Sequence, residues 1–137
     1  MAVFYADSSA LVKLVREEAE SAALRSYLAG ADLVSSELVL TELPRAIHRA
    51  AGSDPALPRD LLLERVGELV EALALRPLDR SLLAGAGAIA EPALRALDAI
   101  HVASAVDLLP IEAFVTYDER QAAVARLAGL RTMAPGV

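Results

Sequence analysis

Short apolar runs alternate with longer amphipathic stretches along the chain. Residues 2–6 form an apolar run closed by Asp7-Ser8-Ser9, the pattern of a strand that ends in a helix cap. Helical spacing follows over residues 8–17 and 20–29, and Gly30-Ala31-Asp32 marks a turn. Residues 33–35 form a second short strand, with Ser36 placed to cap the next helix. That helix is expected over 37–51, where Val39, Leu40, Leu43, Ile47 and Ala50 recur at helical spacing. Pro44 falls inside it, has no N–H for the carbonyl of Leu40, and predicts a kink. Gly52-Ser53-Asp54-Pro55 forms a loop, 59–73 an amphipathic helix and 74–77 a third strand. Helix resumes over 80–90, breaks at Glu91-Pro92 and returns over 95–109. A strand over 113–116 precedes Asp118 and Gln121, spaced as a capping box for a helix ending near Leu127, and 130–133 is the last strand.

Strands that alternate with helices predict a parallel sheet with helices on both faces, in one domain spanning residues 1–137. Such sheets bind ligands outside the carboxyl ends of their strands. Asp7 and Asp118 both fall at expected strand ends, and Glu42 lies on the helix leaving the second strand.

Composition narrows the chemistry. Of 137 residues, 55% are hydrophobic, which predicts an exposed apolar face used for self-association or a partner. No cysteine is present, so disulfides and thiolate metal sites are excluded. Charges interrupt every apolar stretch short of the ~18 residues of a membrane span, and the first charge comes too early for a signal peptide, so the expected location is cytoplasmic. The net charge of −6 argues against a phosphate-binding surface unless the acid is concentrated around a metal.

Four carboxylates are candidates for that concentration, and each also has an ordinary role. Asp7 and Asp118 suit N-caps. Asp98 sits on a helix apolar nearly all round, which predicts burial; Arg95, one turn earlier, is its available partner. Glu42 lies at the edge of an apolar stripe, with Arg45 and Ala46 on the same side, and suits a solvated face. As a group the four lack a matching basic cluster. Carboxylates ~4 Å apart repel by about 4 kcal/mol at an effective dielectric of 20, and a hard divalent cation with oxygen ligands relieves this. With two histidines and no cysteine, zinc is disfavoured.

The string Tyr5-Ala6-Asp7-Ser8-Ser9-Ala10-Leu11-Val12-Lys13-Leu14 resembles the start of PIN domains, especially toxins of the VapC type. Val39-Leu40-Thr41-Glu42-Leu43, Leu97-Asp98-Ala99-Ile100-His101-Val102-Ala103-Ser104-Ala105 and Val115-Thr116-Tyr117-Asp118 match that family's later motifs in order and spacing. The resemblance implies a three-layer α/β/α fold with a central, mostly parallel sheet. It implies a metal-dependent endoribonuclease that uses metal-activated water and acts as the toxin of a toxin–antitoxin pair. The alternatives are a PIN nuclease that is not a toxin and a PIN-fold interaction module without catalysis. Carried over by motif, Asp7, Glu42, Asp98 and Asp118 are the expected ligands of Mg2+ or Mn2+, with Ser9 and Thr116 at the family's hydroxyl positions. Pro44 departs from the family pattern. His101 and Lys13 match it, His101 as a core residue or a partner of Asp98. The expected partners are RNA, a small cognate antitoxin and a second copy of the chain in a homodimer, with no membrane. Lys13, Arg16 and Arg95 are candidates for steering RNA.

Overall fold

The computed structural model describes residues 2–137; Met1, where the expected domain begins, lies outside the described residues. Five strands, β1 (Val3–Ala6), β2 (Asp32–Ser36), β3 (Ala74–Arg76), β4 (Ala113–Val115) and β5 (Thr132–Met133), form one sheet in the order β3-β2-β1-β4-β5. Every pairing is parallel. Seven helices occur among the described residues: α1 (Ser8–Val15), α2 (Ser21–Leu28), α3 (Val39–Ser53), α4 (Arg59–Ala72), α5 (Arg80–Gly87), α6 (Ala96–Asp107) and α7 (Glu119–Leu127). None is long and apolar enough to cross a membrane.

The alternation along β1 sets the layers. Phe4 and Ala6 face a core made with Leu11 and Val15 of α1, Leu24 of α2, Leu43 and Ile47 of α3, and Leu62 and Val66 of α4. Tyr5 faces the other way, stacked on Phe114 of β4 at a centroid distance of 5.0 Å, against Val102 and Ala105 of α6 and Val124 and Ala125 of α7. β1 and β4, covered on both faces, are correspondingly apolar throughout. This is the expected α/β/α architecture.

Two local expectations change. Ser36 does not cap α3: its Oγ accepts from Leu38 N–H at 3.1 Å, a turn just before the helix, and the N-cap position is Leu38, without a side-chain cap. α3 also runs unbroken past Pro44. Pro44 sits in the second turn, so the bond it withholds is one near the helix start, where tertiary packing of Leu43 and Ile47 holds the helix in place.

Order also fixes where a ligand belongs. From β1 the chain builds one half of the sheet through β2 and β3, then crosses to β4 and β5 on β1's other side. The reversal occurs between β1 and β4, so the crevice of this fold opens at their carboxyl ends.

Ile47 is fully buried between α3 and the sheet. Ile47→Ala is expected to lower stability by about 2–5 kcal/mol, read as a lower midpoint in urea unfolding followed by circular dichroism.

Candidate active site

Asp7 stands where β1 gives way to α1, at the reversal point. Its backbone N–H donates to the Val115 carbonyl at 3.2 Å, which continues the β1–β4 pairing by one residue and sets Asp7 beside Thr116. Its Oδ1 accepts from Ala10 N–H at 3.1 Å, so Asp7 does cap α1. The side chain has further partners. Ser9 Oγ donates to Oδ1 at 2.6 Å, and Thr116 Oγ1 and Gln121 Nε2 both donate to Oδ2.

These four donors are all neutral, and Asp7 is only 2% exposed. Burial therefore dominates its titration and raises its pKa above the ordinary carboxylate value, against the opposing pull of His101 and of the Ser9 and Thr116 hydroxyls. Above the two oxygens, Ser9 Oγ and Thr116 Oγ1 approach to 3.3 Å. Ser9 also accepts from Tyr117 N–H at 2.9 Å, and Thr116 Oγ1 from Asp118 N–H at 3.1 Å. The segment after β4 is thus stitched to the one after β1.

Asp118 joins this group through its backbone. Its side chain turns away to cap α7, accepting from Arg120 N–H and Gln121 N–H at 2.9 and 3.2 Å. The reciprocal half of the capping box is absent, because Gln121 points inward to Asp7 instead of back to Asp118.

A second chain of hydrogen bonds reaches the same edge of the sheet. Tyr5 precedes Asp7 by two residues and so faces the same side of β1. Its hydroxyl meets His101 Nδ1 at 2.7 Å, and His101 Nε2 meets Glu42 Oε1 at 2.6 Å. Burial raises the Tyr5 pKa well above its usual value, so the phenol keeps its proton and donates it to Nδ1. In the neutral imidazole, Nε2–H is then the donor to Glu42.

Asp98 is half-exposed, in the first turn of α6, on the same side as His101 three residues later. The buried placement expected from its apolar neighbours does not hold, because α6 faces solvent at Leu97, which is 50% exposed. No ion pair joins Asp98 to Arg95 among the described residues. Overall, the structure brings Asp7, Ser9 and Thr116 into one hydrogen-bonded group with the Asp118 backbone and joins Glu42 to His101. It places Asp98 one turn from His101, with no hydrogen bond or ion pair to either group among the described residues.

A profile of the PIN domain family matches residues 4–127. The chain belongs to the PIN domain family. Relatives from Mycobacterium tuberculosis include ribonuclease VapC47 (strain CDC 1551 / Oshkosh), 35% identical, and ribonuclease VapC35 (strain H37Rv), 38% identical, each over 98% of this chain and 98% of its own length. Ribonuclease VapC46 (strain H37Rv) is 38% identical over 98% of this chain and 99% of its own.

The donors of this PIN domain suit a hard divalent cation. They are carboxylate and hydroxyl oxygens, and the buried Asp7 carboxylate has no cationic side chain bonded to it. They do not stand as a finished cage: among the described residues, no three Asp, Glu or His side chains converge closely enough to share an ion. Glu42 is turned onto His101, and Asp118 onto the start of α7.

Gln121 is the residue that sequence reasoning misplaced. It falls on the inward stripe of α7 with Val124 and Ala125, and a polar side chain on an apolar stripe is the signal that points inward. Its Oε1 is buried without a partner. Lys13 is also not a free rim charge. Its ammonium bonds Glu18 and Glu20 at 2.7 and 3.0 Å and lies 4.8 Å from the Tyr117 ring centroid. Burial lowers its pKa, and the two carboxylates more than reverse that.

Because the folded-state pKa of Asp7 lies above its unfolded value, the folded state binds more protons. The associated stability is present at acid pH and is lost as pH rises through the folded value. Asp7→Asn removes that loss and offers a donor to Gln121 Oε1 once the amide rotates. In EDTA, Asp7→Asn is expected to match or exceed the wild-type melting temperature at neutral pH, with the advantage shrinking toward pH ~4. A variant equally destabilised across that range would show that the carboxylate is not strained by burial.

Proposed function

We propose that this chain is a metal-dependent endoribonuclease, the toxin of a toxin–antitoxin pair, hydrolysing RNA phosphodiester bonds with Mg2+ or Mn2+. The observation that carries the proposal is Asp7: a carboxylate in no ion pair among the described residues, buried at the β1–β4 crevice and bonded by two hydroxyls, in a PIN domain similar over nearly its whole length to proteins named ribonucleases.

Asp7, Glu42, Asp98 and Asp118 are the residues that would hold the cation, with Ser9 and Thr116 orienting Asp7. A bound divalent cation would supply a nucleophile from water at neutral pH and neutralise charge on the phosphate. The protein's part is positional. Ser9 and Thr116 fix both Asp7 oxygens, and Gln121 holds Oδ2 from beneath. Tyr5 and His101 fix Glu42 at the other side of the crevice. The same reading includes an RNA substrate, a small antitoxin, a homodimer and a cytoplasmic location.

A PIN-fold interaction module without catalysis is the second reading, favoured by the absence of converging carboxylates among the described residues. An RNA cleavage assay separates the two. Purified protein is expected to cut single-stranded RNA when Mg2+ or Mn2+ is added and to stop with EDTA. Asp7→Asn and Asp98→Asn should each lose at least the ~100-fold typical of removing one transition-state contact, with the fold intact by circular dichroism. Full activity in both variants, or none in the wild type with either metal, would refute the nuclease reading. Growth arrest on expression, relieved by co-expressing a small antitoxin, would distinguish a toxin from another PIN nuclease.

A further inference from the structure

Cationic side chains are the scarce component of this protein, 13 Lys and Arg against 19 Asp and Glu. Several are already committed. Lys13 is held by Glu18 and Glu20, Arg25 by Glu17, and Arg76 by Asp79 and Asp107. Arg45 and Arg49 are exposed arginines with no carboxylate within ion-pair distance among the described residues, a state they share with others such as Arg80 and Arg95; what sets them apart is that they line one cleft together. Glu42, one turn before Arg45 and its natural partner, is bonded to His101 instead.

Both arginines line a cleft of about 410 Å³ between α1, α3 and the start of α6, and Glu42 and Ser9 line the same cleft. Residues 42, 45 and 49 are spaced by three and four, so they form one row along α3. At 1.5 Å per residue, Arg45 and Arg49 are about 6 Å apart along the axis, with Arg45 about 4.5 Å from Glu42. Two like charges one turn apart on a helix repel each other.

We propose that Arg45 and Arg49 grip two consecutive phosphates of single-stranded RNA, laying the strand along α3 so that it runs from this cleft to Glu42 and the Asp7 crevice. Guanidinium groups suit the task, because each can bond two phosphate oxygens at once. Thr41, on the same cleft wall, adds a neutral hydroxyl donor. The net charge of −6 then poses no obstacle: the strand meets a local cationic row in place of a uniformly basic surface. This rests on the ribonuclease reading and names the track by which that site would take its substrate.

The test measures binding of a labelled single-stranded RNA oligonucleotide to the full chain in EDTA over a range of salt, and reads the same slope from KM with Mg2+ present. Each phosphate contact to a single strand contributes about 0.7 to the slope of log affinity against log salt. Arg45→Gln and Arg49→Gln should each flatten the slope by about 0.7 and the double variant by about 1.4, raising KM and leaving kcat within about twofold. Arg45→Lys should keep the slope, since the charge remains. Arg80→Gln, on α5 and outside the cleft, should change nothing. If the wild type neither binds nor cleaves RNA, the ribonuclease reading fails and the track with it. If the wild type cleaves RNA and the double variant keeps the wild-type slope and KM, the track alone is overturned, and the cleft is left to a protein partner.

Discussion

A carboxylate kept in a nearly closed site by neutral donors alone is the constraint around which this fold is arranged. Taking an ionised carboxyl out of water costs several kcal/mol unless hydrogen bonds replace the lost hydration. Asp7 recovers them from residues 9, 10, 116 and 121. Two of these lie in the first turn of α1, and the others come from the segment after β4 and from α7, over a hundred residues away. The partners meet only if β1 and β4 pair in the observed register, with Ala6 against Val115. A register slip by one residue would turn Thr116 to the opposite face, and Asp7 would lose half its donors. The group with the most chemical potential is therefore also the one most sensitive to correct assembly of the sheet.

The second hydrogen-bond chain has a different job. Tyr5 faces the layer of α6 and α7, while Glu42 belongs to α3 in the other layer. His101 joins them across the end of the sheet, so one imidazole links both helical layers to the central strand. Buried polar networks hold geometry only when every member is satisfied, and here both imidazole nitrogens have a partner. The Asp7 group has an orphan in Gln121 Oε1. The more adaptable of the two networks is thus the one at Asp7, where an amide can rotate and two hydroxyls can turn.

Much of this was legible in the chain. Every strand and helix was expected within about two or three residues of where it lies, because apolar runs of strand length alternate with helical spacing and the breaks coincide with Gly, Pro and Asp. The carboxyl-end placement of Asp7 and Asp118 followed from the same alternation. Side-chain direction was less legible. Asp118 and Gln121 carry a capping-box spacing, yet Gln121 belongs to the buried stripe of α7, and the buried carboxylate competes for its amide more strongly than one backbone N–H. Asp98 was expected inside because its neighbours are apolar, but a helix at the rim of a small domain leaves apolar residues such as Leu97 exposed. Glu42 gave no sequence sign of its bond to His101, since a contact across 59 positions has no local periodicity.

Paired and unpaired cations in an acidic protein have separate physical roles. A lysine clasped by two carboxylates, as Lys13 is, fixes the turn between α1 and α2 and has little field left to offer a polyanion. A cation left bare on a surface of net charge −6 is electrostatically favourable where it stands and still free to bind, so the surrounding acid stabilises it without consuming it. His101 produces that condition for Arg45: by bonding Glu42 it removes the carboxylate best placed to neutralise the guanidinium. The bond that fixes Glu42 on His101 is therefore the same bond that leaves Arg45 without an ion pair, and the two features depend on one imidazole.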